Sequence, residues 1–172
     1  TYNFILRYVA KVKSFQFFKN IQSVLLVAFS TSSSGATLPV SMQCAEEDLE
    51  VSNEVASFVL PLGATINMDG TALYQAIAAV FIAQVFGIDL SLSAQLTIVL
   101  TATLASIGTA GVPSVGIVML IIVLKAIKLP VVGIALILGV DRIIDMCRTM
   151  LNVTGDLTAS VVIDNLEKAR KN

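Results

Sequence analysis

Residues 90–124, "LSLSAQLTIVLTATLASIGTAGVPSVGIVMLIIVL", carry no charged side chain. One helical crossing of a bilayer takes about 20 apolar residues, so this run is too long for a single crossing. Near its middle, "SIGTAGVPS" concentrates the Gly, Pro and Ser that end helices. The arm before it, from Leu90 to Ala105, is about 24 Å long at the helical rise, short of a hydrocarbon core of roughly 30 Å. The pattern predicts two half-length helices meeting at a non-helical tip, a re-entrant hairpin. Backbone of that kind is tolerated at membrane depth only where it is buried in protein or lines a cavity. The same pattern occurs earlier. "FKNIQSVLLVAFS" runs into "TSSSGATLP", where the serines, Gly35 and Pro39 predict another tip, and "VSMQCA" resumes. An acidic connector, "EEDLEVSNE", leads to an apolar span from about Val55 to Phe86. Its one charge, Asp69, sits in "TINMDGT", where Asn67, Asp69 and Gly70 predict a break in the helix.

The last span, "DRIIDMCRTMLNVTGD" at 141–156, is different. At 100° per residue, Asp141, Asp145, Arg148, Asn152 and Asp156 fall within about 80° of one another. Arg142 lies about 100° to the side of Asp141, and Ile143, Ile144, Met150, Leu151 and Leu157 take the opposite surface. A charge at a bilayer centre costs at least about 2.5–3.5 kcal/mol, so the stripe must face protein or a cavity. The order is hairpin, broken span, hairpin, polar-faced span, with the loosely similar tips "SSSGATLP" and "SIGTAGVP". Interrupted apolar segments at corresponding places in two halves are the signature of an inverted-repeat secondary transporter.

Composition places the chain in a membrane. Of 172 residues, 56% are hydrophobic and 13% charged, with a mean hydropathy of +0.87; a soluble domain is nearer 25% charged. The net charge of −1 gives no basic face for nucleic acid. There is no signal-peptide pattern; the chain opens inside an amphipathic basic stretch without an initiator Met and is expected to belong to a longer protein. Histidine is absent, which removes the usual general base and with it a Ser–His hydrolase; no enzyme is expected. Cys44 and Cys147 make neither a disulfide framework nor a zinc spacing. Arg7, Lys11, Lys13 and Lys19 flank the start and Lys168, Arg170 and Lys171 the end, so two full crossings put both ends in the cytoplasm by the positive-inside rule. Lys125 and Lys128 fall on the outer side.

Half-helix tips present unpaired N–H groups and carbonyls, which attract anions and desolvated cations respectively. Asp69 and Asn67 beside an unwound backbone, with Asp156 one turn past Asn152, suit a hard cation held by oxygen. The other reading of the two carboxylates is burial against arginine or backbone. Asp145 and Arg148, at i and i+3, either form an intrahelical ion pair or divide their duties. In the second case Arg148 grips a carboxylate with its planar fork and Asp145 holds an ammonium, which together describe an acidic amino acid.

The motifs "SSSGATLP", "NMDGTALYQ", "SIGTAGVPS" and "DMCRTMLNVTGD", in that order, resemble the dicarboxylate/amino acid:cation symporter family, which includes the sodium-coupled aspartate transporters, the glutamate symporters and the excitatory amino acid transporters. The resemblance covers about residues 14–165. It implies an all-α membrane protein of two re-entrant helical hairpins and two interrupted transmembrane helices, the inverted-repeat core of an elevator transporter in the plasma or inner membrane. The implied divisions are 1–16 (end of a preceding helix and cytoplasmic linker), 17–52 (first hairpin and connector) and 53–88 (broken span). They continue with 89–128 (second hairpin), 129–166 (polar-faced span) and 167–172 (cytoplasmic tail). The family's trimeric scaffold, and the third helix that completes its third sodium site, are not in these residues. By resemblance, L-aspartate or L-glutamate would bind at Ser34, Thr71, Gly111, Val112, Asp145, Arg148, Thr149 and Asn152. One sodium would lie among Gly63, Asn67, Asn152 and Asp156. Another would lie near Thr65, Met68, Ser106, Ile107 and Thr109, and a third would use Asn67 and Asp69. Ser32 stands where the archaeal relatives carry arginine, and Gln75 where the excitatory relatives carry a glutamate.

The implied activity is sodium-coupled symport of an acidic amino acid by alternating access. A C4-dicarboxylate carrier has no ammonium for Asp145. A proton-coupled glutamate symporter lacks histidine, the commonest titrating group near neutral pH, though Asp69 or Asp156 could serve. An ion channel would also line a helix with polar residues but needs no closing tips.

Overall fold

The computed structural model describes residues 1–107 and 111–171. Among these residues there are helices and no strand. A short turn α1 (Tyr2–Phe4) continues through wider turns over Ile5–Val9 and is followed by α2 (Ser14–Asn20), α3 (Gln22–Thr31) and α4 (Ser34–Glu47). Then come α5 (Asn53–Ile66), α6 (Asp69–Val85), α7 (Leu92–Ser106) and α8 (Val115–Ala126); a 3₁₀ turn, Val131–Ile134, opens the long α9 (Ala135–Lys171). This is an all-α protein. The run Asn53–Val85, break included, is long and apolar enough to cross a membrane. Neither α3, α7 nor α8 reaches that length.

The breaks are short and chemically specific. Between α3 and α4 only Ser32 and Ser33 leave the helical path: Ser32 is left-handed at φ +51°, and Ser33 caps α4 by accepting a hydrogen bond from the Ala36 amide at 3.1 Å. Gly35 and Pro39, expected in the tip, instead lie inside α4. Pro39 lies beyond the first turn of α4, so the helix gives up the bond that an amide there would make to the Gly35 carbonyl. Between α5 and α6 the break is Asn67–Met68, and Asp69 and Gly70 open α6. At the far end, α9 stays helical through Lys171.

Packing divides the molecule in two. Leu6, Phe17, Ile21, Val24, Leu60 and Leu157 belong to one core, built by the N-terminal segment, α2–α5 and the C-terminal half of α9. Ile82, Ile98, Leu120, Leu124, Ile134 and Ile137 belong to another, built by α6–α8 and the N-terminal half of α9. The Asn67–Met68 break separates the helix that serves one core from the helix that serves the other, and α9 spans both. Leu157 departs from its expected place. It is buried, as are all of Asn152–Thr158, because this part of α9 is packed by α3, α4 and α5 together and has no outer face.

The exterior is apolar. On α7, Leu96, Leu100 and Leu104 recur at helical spacing and are each about 60% exposed. The charged stripe is interior, with Asp141, Asp145, Arg148, Asn152 and Asp156 all buried. That is the reverse of a water-soluble distribution and suits a hydrocarbon solvent. Hydroxyls on α7 are satisfied locally: Thr97, Thr101 and Thr103 each donate to the carbonyl four residues back, at 2.9, 2.6 and 2.8 Å, a bond that needs no water.

Candidate functional site

The stripe on α9 lies where the two cores meet, and both tips and the α5–α6 break converge on it. They enclose a cavity of about 20 Å³ lined by Ser32, Ser34, Met68, Thr71, Gly111, Val112, Val115, Gly116, Asp145, Arg148, Thr149 and Asn152. All eight residues expected at a substrate site are among them. The space holds about one water.

Three contacts seal it. The Gly111 carbonyl accepts from the Ser33 hydroxyl at 2.5 Å and from the Gly35 amide at 3.2 Å. Asp145 Oδ2 accepts from the Ser114 amide at 2.7 Å, tying α9 to the second tip. Ser114 is left-handed at φ +65°, which turns that amide inward. A Cβ on Gly111 would stand 2.9 Å from the Ala64 carbonyl of α5 and 3.1 Å from the Gly35 amide nitrogen at the first tip, so the close approach of the second tip to both requires glycine.

Asp145 and Arg148 do form the intrahelical ion pair, Oδ1 to Nη2. The pair does not use up the arginine. Nη1 is buried with no hydrogen-bond partner among the described residues, and the guanidinium carbon stands 4.9 Å from the centre of the Tyr74 ring, within cation–π range. Tyr74 donates its hydroxyl to Asp141 Oδ1 at 3.1 Å. A Cβ on Gly116 would overlap the guanidinium, so glycine there makes room for the arginine. The result is a planar cation fixed on two sides, with a donor left over at a small cavity. That geometry suits a carboxylate.

Asn152 connects this cavity to the break in α5–α6. Its side-chain oxygen accepts from the Gly70 amide at 2.8 Å, capping α6, and its amide nitrogen lies 3.1 Å from Met68 Sδ and 3.4 Å from the Thr71 hydroxyl. Its main-chain carbonyl is 3.4 Å from Asn67 Nδ2, which also donates to Asp156 Oδ1 at 2.9 Å. Gly63 abuts the same carboxylate, with space for no side chain. Gly63, Asn67, Asn152 and Asp156, one expected cation set, are therefore neighbours; the contacts among them are of amide and oxygen, and the Asn152 amide also meets a sulfur, that of Met68.

The other two sets are less gathered. Asp69 is exposed and accepts from the Tyr2 hydroxyl at 2.8 Å. Met68 lines the enclosed cavity, while Thr65 donates to Leu62 O at 2.9 Å and Ser106 to Thr103 O at 2.8 Å. Ile107 is half exposed, and Thr109 lies outside the described residues.

Sequence reasoning missed Tyr2, Tyr74, Ser114 and Gly116. Tyr74 could have been found one turn beyond Thr71 on the same helix face. Tyr2 had no signal, because its partner is 67 residues away. Ser32 and Gln75 are buried with polar atoms that have no hydrogen-bond partner among the described residues, the Ser32 hydroxyl and both ends of the Gln75 amide.

Known proteins carry the same arrangement of sequence. A family model described as the sodium:dicarboxylate symporter family matches residues 1–166. The chain is 51% identical over 160 residues to excitatory amino acid transporter 3 of Mus musculus, covering 93% of this chain and 31% of that protein. It is 48% identical over 159 residues to an excitatory amino acid transporter of Caenorhabditis elegans (92% of this chain, 32% of that one). To excitatory amino acid transporter 4 of Rattus norvegicus it is 50% identical over 154 residues (90% and 28%). The chain thus spans about a third of the length of these relatives.

Proposed function

Because the chain belongs to the sodium:dicarboxylate symporter family, we propose that it carries the substrate and cation sites of a secondary transporter for L-aspartate or L-glutamate, driven by sodium. The observation that carries this reading is the spare donor of Arg148 beside the Asp145 carboxylate. A substrate with two carboxylates and an ammonium meets both: its side-chain carboxylate takes Arg148 and Thr71, and its ammonium takes Asp145 and Thr149. Its main-chain carboxylate then faces Ser34, Asn152 and the backbone at Gly111–Val112. A C4-dicarboxylate would face Asp145 with a like charge.

Sodium is the second cargo. Gly63, Asn67, Asn152 and Asp156 offer it carbonyl and carboxylate oxygens, with Asp69 and Asn67 offering another place, and Thr65, Met68, Ser106, Ile107 and Thr109 a third. Asn152 belongs to the substrate cavity through its side chain and to the Asn67–Asp156 group through its carbonyl. One residue whose position both ligands fix is a physical route to coupling, since each ligand then stabilises the geometry the other needs.

An acidic amino acid is far larger than the enclosed 20 Å³, so a tip must move to admit it. The second tip, 107–114, is the candidate gate, held shut at Gly111 and Ser114. The pairs α3–α4 and α7–α8 are read as re-entrant hairpins and α5–α6 as a broken span. The C-terminus would lie in the cytoplasm. The 172 residues would form the moving part of an elevator transporter in the cell membrane, working as a homotrimer through a scaffold supplied by chain beyond them.

The test is uptake of labelled aspartate and glutamate by the full-length transporter in vesicles. Accumulation under a sodium gradient, with none under a pH gradient alone, is the expected result. Full accumulation from the pH gradient without sodium would replace this reading with a proton symporter.

A further inference from the structure

The first 45 residues contain Arg7, Lys11, Lys13 and Lys19 and no acidic residue. In the structure Arg7, Lys11 and Lys13 line a single recess of about 700 Å³ together with Asn3, Phe15 and Phe18. All three cations are exposed, and none takes part in an ion pair among the described residues. The adjoining recess is lined by Asp48, Glu50, Asp164 and Lys168, and there the lysine is paired with Asp164 at 2.6 Å. That recess holds three carboxylates against its one lysine and is net negative; the recess of Arg7, Lys11 and Lys13 is lined by three cations and no carboxylate.

The backbone that assembles these charges is unusual. Ile5–Val9 winds in wide turns, a form met mostly at functional sites. The chain then reverses, with the Val12 amide donating to the Leu6 carbonyl at 2.8 Å. The reversal is made at Lys11, whose φ of +56° is a conformation that favours glycine. A lysine held there turns the segment so that Lys11 and Lys13 face the same space as Arg7.

The recess has an apolar wall as well. Phe15 is 84% exposed and Phe18 38%. Phenylalanine beside lysine and arginine is the composition of segments that lie in the plane of a bilayer interface. An inorganic anion would use the cations and leave the phenylalanines in water. A phospholipid uses both.

We propose that the recess of Arg7, Lys11, Lys13, Phe15 and Phe18 is a binding site for an anionic phospholipid, its phosphate on the cations and its acyl chains along the phenylalanines. The proposal rests on the membrane-spanning reading, with this end at the cytoplasmic leaflet. It is independent of what is transported.

The experiment is native mass spectrometry of the purified full-length protein released from nanodiscs of phosphatidylcholine mixed with phosphatidylglycerol. Retained phosphatidylglycerol is expected on the wild type. Each basic residue near an anionic surface contributes about fivefold to binding, so Arg7→Gln, Lys11→Gln and Lys13→Gln together should lower retention on the order of a hundredfold. Lys125→Gln with Lys128→Gln, at the other end of the charge pattern, should leave it unchanged. Phe15→Ser should lower retention of long-chain lipid while leaving the thermal midpoint in detergent in place. Equal retention by the triple variant and the wild type would overturn the proposal. So would displacement of the lipid by inorganic phosphate, which would assign the site to the free anion. No step requires transport, so a failed sodium-driven uptake assay and a failed lipid site are separate results.

Discussion

Ser33 and Gly111, one on each tip, are joined by a hydrogen bond of 2.5 Å from the serine hydroxyl to the glycine carbonyl. Seventy-eight residues separate them in the chain, and the bond lies at the edge of the enclosed cavity. Closure is therefore set by a few backbone contacts, and small changes at Gly111 should be felt directly. A methyl group there would stand 2.9 Å from the Ala64 carbonyl. Overpacking of this kind costs about 1–3 kcal/mol. Gly111→Ala should therefore weaken aspartate or glutamate affinity roughly tenfold to a hundredfold and speed amide exchange over 111–115. Unchanged affinity in equilibrium binding would show that the two tips need not meet in the bound state.

Arg148 should decide that the cargo is acidic. Arg148→Cys removes the guanidinium, and breaking a buried pair costs about 3–5 kcal/mol. Acidic-substrate uptake should be lost, and binding of neutral amino acids should be kept or gained. A milder version is Gly116→Ala, which leaves every charge in place but crowds the guanidinium. It should lower affinity for glutamate and aspartate more than for serine or alanine. Equal losses across all four substrates would return the arginine to a purely structural ion pair.

Asp156 and Asn67 should govern the cation rather than the amino acid. Asp156→Asn keeps the size of the side chain and removes its charge, and Asn67→Ala removes the amide that meets it at 2.9 Å. In both variants the sodium concentration for half-maximal uptake should rise by at least about tenfold, about 1.4 kcal/mol. Substrate affinity at saturating sodium should change less. A loss of substrate affinity that added sodium cannot restore would place the pair in the substrate site instead.

Much of the site could be read from the chain. The polar stripe on α9 was visible because five polar side chains kept helical phase over four turns in an otherwise apolar run. The breaks were visible because Ser, Gly, Asn and Asp cluster where a continuous span would need none. Their width was not, since Gly35 and Pro39 look like tip residues but are absorbed into α4. Helical phase also misplaced Leu157: it tells which way a residue points, not how many helices stand around it. The partners that fix the guanidinium were out of reach, because Gly116 on α8 meets Arg148 on α9 only once the chain has folded.

Gln75 gives a prediction about stability. Its amide is fully buried and neither end has a hydrogen-bond partner among the described residues, and an unmet buried polar group costs about 1–3 kcal/mol. Gln75→Met fills the same space without that penalty and should raise the thermal unfolding midpoint of the detergent-solubilised protein. A lower midpoint would mean that the amide is satisfied by a group it meets only in the assembled transporter.

Two separate cores with charged residues between them make an unusual object. In most proteins the middle is the best-packed and least movable part. Here the middle is a seam: α9 is stitched into the cores on both sides, and the cavity lies along the line where they meet. A compartment on a seam can part and close many times without either side being repacked.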